Sequence, residues 1–286
     1  MTHEFPELKQ RLLSLIQSID VNLGTAHPES QSNVTPGQEM VLGLLVVCRN
    51  NMRGIYFLLK EDHAEQARII GRTLLIDCVR LLYFLEHRDR LEELRVAFSL
   101  GSIRDQRNLV MEMEKHFGSE DNDINLLKSQ VDEQEAAFRE EANQLGIDED
   151  QLAEDVRTLM KAEHLLKASP QPEGYALFRL SSHAVHTSTL ALEMHKQRDE
   201  DGTIQLMWGA SPGNVLRVGL MGAQLFLFGY RAAAELLGWD TIEVIRDFFE
   251  YTHKKLEELR ADADIEGMEA FIGGKPVDEA DAKLQD

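Results

Sequence analysis

The sequence predicts an all-α protein, a multi-helix bundle of about eight to ten helices with a central antiparallel four-helix group. Three observations carry this prediction. The 286 residues include only seven prolines, the apolar residues recur at helical spacing, and short polar segments with capping residues separate the apolar stretches. Hydrophobic residues make up 43% and charged residues 28% of the chain, values typical of a globular protein.

Each helix is predicted from its start signal, its apolar stripe and its stop signal. Thr35-Pro36-Gly37-Gln38 predicts a capping box with proline at the first helical position. Because the turn at 61–63 is short and polar, the helix after it is predicted to run antiparallel to the helix that the capping box opens. A later helix opens at Pro212 and ends at Gly238. The predicted helices span 5–23, 35–60, 64–87, 88–117 with a break near 99–102, 121–145, 148–164, 175–195, 215–237 and 240–261. Residues 203–208 are expected to form a small extended segment or an ordered loop. The central group consists of 35–60, 64–87, 175–195 and 215–237.

Acidic residues are distributed unevenly, and this predicts the domain organisation. One helical domain is expected over 1–262, with an acidic helical projection at 121–168 and an acidic, flexible tail at 263–286. The net charge of −20 argues against a broad nucleic-acid or anionic-membrane surface. The stretch 49–107 is nearly balanced and rich in arginine, so a local basic surface remains open.

A cytoplasmic location is expected. The N-terminal residues lack a basic region followed by an apolar one, and the apolar runs are too short to span a bilayer. Cys48 and Cys78 both lie in apolar helical patterns and are predicted to be core residues in a reducing compartment rather than a disulfide.

The predicted helix 175–195 carries the main candidate site. Arg179, His183 and His186 are spaced one and two turns apart, so they share one helix face, flanked by Tyr175 and Ser182. A histidine that transfers a proton near neutral pH, beside an arginine that holds a phosphate, is typical of a ribonuclease-like site. The alternative is a buried structural network, with Arg179 paired to a carboxylate such as Asp77.

Two arginines of the preceding apolar helix extend this candidate site. Arg68 and Arg72 lie one turn apart, and both are candidates for binding a phosphate or carboxylate. Their alternative role is to pair with Glu65 or Asp77. No metal is predicted, because His183 and His186 lack a complete ligand set, and no cofactor is expected.

Two segments carry a family resemblance. They are ARIIGRTLLIDCVRLLYFLE at 67–86 and YALFRLSSHAVHTS at 175–188. Together they resemble the bacterial domain of unknown function 5677 family, and the resemblance covers roughly 41–237. That family has an acid directly after the position of Leu75, whereas this chain has Ile76 there and an acid at Asp77, which joins the candidate substrate-binding residues. The positions that match the family pattern are Arg72, Thr73, Leu74, Tyr83, Tyr175, Phe178, Arg179, Ser182 and His186.

The Arg-x6-His spacing of Arg179 and His186 is also similar to the signature of the HEPN (higher eukaryote and prokaryote nucleotide-binding) superfamily, which includes metal-independent ribonucleases. Where that signature usually has a polar residue after the arginine, this chain has Leu180. This similarity implies an RNA-cleaving or RNA-binding protein of bacterial stress or phage defence that works as a homodimer. The competing hypothesis is a non-catalytic helical protein that binds a protein partner or a small ligand.

Overall fold

The computed structural model describes residues 5–25, 34–118, 121–169, 178, 196–198, 204–206, 212–239 and 243–263. Nine α-helices lie in these ranges, which confirms the all-α, multi-helix fold class. They are α1 (Phe5–Thr25), α2 (Pro36–Lys60), α3 (Ala64–Glu86), α4 (Leu91–Phe117), α5 (Asn122–Leu145), α6 (Glu149–Met160), α7 (Ala162–Ala168), α8 (Pro212–Leu236) and α9 (Glu243–Asp262), with a short 3₁₀ turn at Arg88–Arg90.

The predicted capping box opens α2. Thr35 Oγ1 accepts a hydrogen bond from Gln38 N at 3.3 Å, and Gln38 Oε1 accepts one from Thr35 N at 3.1 Å. Gln38 Nε2 also donates to Leu236 O at 3.3 Å. The start of α2 is thereby tied to the end of α8.

Helices α2, α3 and α8 form the centre of the bundle, and α2 runs antiparallel to the other two. For α3 the direction follows because Cys48 meets Cys78 and Ile55 lies against Gly71; for α8 it follows because Ile55 lies against Gly222 and Leu59 against Gly219. Three members of the predicted central group are therefore confirmed. The fourth, 175–195, falls outside the described residues apart from Phe178.

Both cysteines lie in this centre as free thiols. Their Sγ atoms are 3.9 Å apart, and burial raises the pKa of the Cys78 thiol well above its ordinary value. They are core residues, as predicted.

Two helix boundaries differ from the prediction. Helix α4 continues without a break through 99–102, because Gly101 makes room for the Met160 side chain of α6 rather than ending the helix. The predicted helix 148–164 ends instead at Met160, where Lys161 is extended and a new helix starts. This turn directs Leu165 and Leu166 into the main core.

The acidic region combines core residues with a separate outer cluster. Leu152 and Leu159 of α6 belong to the main core. The outer parts of α4 and α5 share a second apolar cluster. Its buried members are Ile103, Val110, Ile124 and Val131.

Two short strands and the final helix complete the described part of the chain. β1 (Lys196–Arg198) pairs antiparallel with β2 (Ile204–Leu206), so an extended segment forms at 204–206. α9 packs against α1 and α8. None of the helices that the structure describes combines the length and the apolar character that a bilayer crossing requires.

Candidate functional site

Three of the eight predicted site residues, Arg68, Arg72 and Asp77, lie on the described helix α3. The other five are outside the described residues. They are Tyr175, Arg179, Ser182, His183 and His186. The site is therefore built here from α3 and from Phe178, the one described residue of the second motif.

Arg72 is held by an aromatic ring rather than by an acid. Its guanidinium carbon lies 4.3 Å from the centroid of the Phe178 ring, in the geometry of a cation–π interaction. The Arg72 Nε atom is buried and has no hydrogen-bond partner among the described residues. Within the described ranges, no carboxylate forms an ion pair with Arg72. A half-buried positive charge therefore has no counter-ion in the part of the chain that the structure describes.

Arg68, one turn earlier, has the partner that the alternative interpretation predicted. Its Nη2 atom lies 3.3 Å from Glu65 Oε1. The same oxygen accepts a hydrogen bond of 3.4 Å from Asn214 Nδ2 at the start of α8. Arg68 therefore takes part in a contact between α3 and α8.

Asp77 is buried in a polar junction between helices. Its Oδ1 atom is 2.6 Å from Arg80 Nη1, and its Oδ2 atom is 3.5 Å from Asn51 Nδ2 of α2. Burial raises the pKa of the Asp77 carboxyl, and the neighbouring Arg80 opposes this effect.

Arg80 extends the junction to α6 and α4. Its Nε atom donates to Leu159 O at 3.3 Å, and its guanidinium carbon lies 5.2 Å from the centroid of the Phe98 ring. The junction therefore joins four helices and supplies a partner for a carbonyl in the last turn of α6. Sequence reasoning missed Arg80, although the i,i+3 spacing of Asp77 and Arg80 was a usable signal.

The three arginines of α3 therefore differ in their surroundings. Arg68 and Arg80 each have a carboxylate on their own helix, whereas the ring of Phe178 is the charge-stabilising contact of Arg72 in the described ranges. An arginine without a counter-ion retains its hydrogen-bond donors for an anionic ligand, and guanidinium geometry suits phosphate and carboxylate. Among the described residues, no three His, Cys, Asp or Glu side chains are grouped to hold a metal.

The comparisons with known proteins give a family but no activity. Residues 38–203, more than half of the chain, match the model of a family of unknown function, DUF5677. The match confirms the predicted family and contains both of its motifs, although it ends before α8. No curated protein and no solved structure matches the chain.

Proposed function

The chain belongs to the DUF5677 family of unknown function, and we propose that it is a HEPN-like, metal-independent ribonuclease of bacterial stress or phage defence that works as a homodimer. Arg179 holds the phosphate, His186 transfers a proton, and His183 and Arg72 support them. Arg68, Tyr175, Ser182 and Asp77 complete the proposed substrate-binding surroundings.

One observation carries this proposal: the Arg72 guanidinium lies on the ring of Phe178, and none of the described carboxylates pairs with it. Phe178 directly precedes Arg179 in the chain, so the contact of Arg72 with Phe178 joins α3 to one residue of the second motif. Arg72 has no acidic partner among the described residues, and a second arginine, Arg179, follows Phe178 in the chain; together they favour a site for an anion.

The proposed chemistry uses the ribose 2′-hydroxyl of RNA as the nucleophile, which DNA lacks. His186 accepts the hydroxyl proton as the 2′-oxygen bonds to phosphorus. The bond to the 5′-oxygen then breaks, and that oxygen takes a proton from an acid, for which His183 is the nearest candidate in the sequence. The products are a 2′,3′-cyclic phosphate and a 5′-hydroxyl. Arg179 and Arg72 neutralise the charge that develops on the phosphate oxygens.

The test is RNA cleavage by the full chain in the presence of EDTA. His186→Ala should lower the cleavage rate by about 10²–10⁴-fold because a proton-transfer group is lost. Arg72→Ala should lower it by about tenfold or more, since one donor to the transition state is removed. Arg104→Ala is the matched control: Arg104 is exposed on α4 and, in the described part of the chain, has no ion pair.

Thermal unfolding of each variant separates loss of activity from loss of fold. Cleavage that persists in His186→Ala, or that requires a divalent metal, contradicts the proposal. If Arg72→Ala and Arg104→Ala lower the cleavage rate equally, Arg72 has no specific role in cleavage.

The competing candidate is a non-catalytic protein in which the arginine and histidines form a structural network. The Asp77–Arg80–Asn51 junction favours it, because it is a largely buried polar network on α3, the helix that also carries Arg72. Under this hypothesis Arg179→Ala destabilises the fold by about 3–5 kcal/mol by leaving a buried charge unpaired, and purified protein cleaves no RNA. Binding of a protein partner or a small ligand would then be the activity to seek.

A further inference from the structure

A groove between α1 and α9 lies outside the segment that matches the family. Its volume is about 330 Å³, at the lower end of the range for small-molecule sites. Leu15 and Leu259 form apolar parts of its wall, and the remaining lining residues are polar, charged or aromatic. Neither α1 nor α9 falls within 38–203.

Positive charge is in slight excess at this groove. Arg11 pairs with Asp262 at 2.7 Å, and Lys255 pairs with Glu258 at 2.6 Å. The hydrogen bond from Lys255, with the nearby charges of Lys254 and Arg11, lowers the pKa of Glu258. The groove itself is lined by two cations, Arg11 and Lys255, and by one carboxylate, Glu258, in a chain whose net charge is −20.

Both ion pairs are exposed and therefore open to competition. The side chains of Arg11 and Lys255 are each 43% accessible to solvent. Exposed pairs of this kind contribute little to stability and are screened by salt. An incoming anion can therefore replace Asp262 or Glu258 at little cost.

The groove also offers an aromatic face and neutral hydrogen-bonding groups. Tyr251 is 55% exposed, and Lys255 Nζ lies 5.9 Å from the centroid of its ring. Ser14 and Ser18 line the α1 side, one turn apart. A stacking ring, cations and hydroxyls within one small groove match the base, phosphate and sugar of a nucleotide.

We propose that the α1/α9 groove binds one nucleotide unit, with its base on Tyr251, its phosphate at Arg11 and Lys255, and its ribose at Ser14 and Ser18. The nucleotide unit could belong to single-stranded RNA, and this part of the proposal rests on the proposed function. It could equally be a free nucleoside monophosphate, which presents the same chemistry. The experiment distinguishes these two ligands.

The experiment measures binding to the full chain at low and at physiological salt. One arm uses a short fluorescein-labelled oligoadenylate and fluorescence anisotropy, and the other uses AMP and calorimetry. Tyr251→Ala should weaken binding about tenfold through the lost base stack. Lys255→Gln should weaken oligoadenylate binding about threefold and flatten its salt dependence. Phe117→Ala is the matched control, since Phe117 is an exposed aromatic residue on α4, 71% accessible.

Each outcome decides the proposal. Weaker binding by Tyr251→Ala, with unchanged binding by Phe117→Ala, supports the proposal. Binding of oligoadenylate then identifies the ligand as RNA, and binding of AMP identifies it as a free nucleotide. An unchanged affinity in Tyr251→Ala, equal losses in both variants, or no binding in either arm overturns it. If AMP binds but the protein cleaves no RNA, the nucleotide site is supported and the ribonuclease proposal is contradicted. If the protein cleaves RNA and Tyr251→Ala binds oligoadenylate with normal affinity, the ribonuclease proposal is supported and the nucleotide site is contradicted.

Discussion

The centre of the bundle and the outer part of the α4/α5 hairpin are stabilised by different interactions. In the centre, α2, α3 and α8 approach closely through Gly71, Gly222 and Gly229, and large side chains are fully buried. In the outer hairpin the apolar cluster has four buried members, and exposed ion pairs surround it. Arg107, for example, lies 2.6 Å from Asp132, and Lys115 lies 2.6 Å from Glu112.

This difference indicates where the molecule opens first. Exposed ion pairs contribute about 0–1 kcal/mol each, whereas burial of a large apolar side chain contributes about 1.5–3 kcal/mol. The outer hairpin should therefore open locally at a lower free energy than the centre.

The largest effect is expected from truncating equivalent apolar side chains in the two regions. Leu81 of α3 and Ile124 of α5 are 0% and 3% exposed. Leu81→Ala should lower the free energy of unfolding by about 4 kcal/mol, because the surrounding helices cannot close the cavity. Ile124→Ala should cost about 2 kcal/mol, since a small peripheral cluster can relax.

Urea unfolding measures both values, and hydrogen exchange shows which amides respond. Ile124→Ala should accelerate exchange in the outer parts of α4 and α5 alone. Equal losses of stability, or acceleration throughout α3 and α8 in Ile124→Ala, would mean that the hairpin and the centre unfold as one unit.

A smaller effect, with opposite signs at two glycines, tests the close approach of the central helices. A Cβ atom at Gly229 would lie 2.7 Å from Cys78 Sγ and 3.4 Å from Cys78 Cα. Gly229→Ala should therefore destabilise by about 1 kcal/mol, because overpacking exceeds the gain in helix propensity. Gly43 is exposed and has no neighbour within 4 Å at that position, so Gly43→Ala should stabilise by about 0.5–1 kcal/mol. Thermal unfolding of both variants gives the signs, and stabilisation by Gly229→Ala would contradict the packing described for α3 and α8.

Local signals in the sequence account for most of the helices. The capping box at Thr35 and the apolar stripes of α2, α3 and α8 act within a few residues, so periodicity and capping predict them. Gly101 depends instead on a distant residue, because the Met160 side chain of another helix occupies the space that a Cβ atom would need. A glycine chosen for packing and a glycine that ends a helix look alike until the partner helix is known.

The candidate site was less predictable, because its decisive contacts join distant parts of the chain. The spacing of Arg68 and Arg72 on α3 suggested that both bind an anion. Spacing alone could not predict which of them has an acidic partner. The difference comes from Phe178 beside Arg72 and from Glu65 beside Arg68. The ion pair of Asp77 with Arg80 is local and could have been predicted, whereas the contact of Arg80 with Leu159 O depends on the packing of α6.

The smallest effect concerns Glu92, which joins the start of α4 to the start of α2. Its Oε1 and Oε2 atoms accept hydrogen bonds from Gly37 N at 2.9 and 3.1 Å, and Arg95 Nε lies 3.2 Å from Oε2. Desolvation raises the pKa of Glu92, but hydrogen bonds from Thr35, Gly37 and Arg95 together lower it below its ordinary value of 4.5. The folded state therefore binds this proton less readily than the unfolded state does.

The resulting stabilisation is fully present above pH 4.5 and is lost as the pH falls through the folded-state pKa. Glu92→Gln should destabilise by about 0.5 kcal/mol at neutral pH, a value reduced by the partial exposure of the carboxylate, and the difference from wild type should vanish in acid. Glu112→Gln is the matched control, because Glu112 also pairs with a cation three residues on, Lys115 at 2.6 Å, but in the exposed outer hairpin. High salt should abolish the effect of Glu112→Gln and only reduce that of Glu92→Gln, since the amide of Gly37 is a fixed partner. Urea unfolding across pH and salt measures both, and identical salt responses would show that Glu92 is only another surface charge.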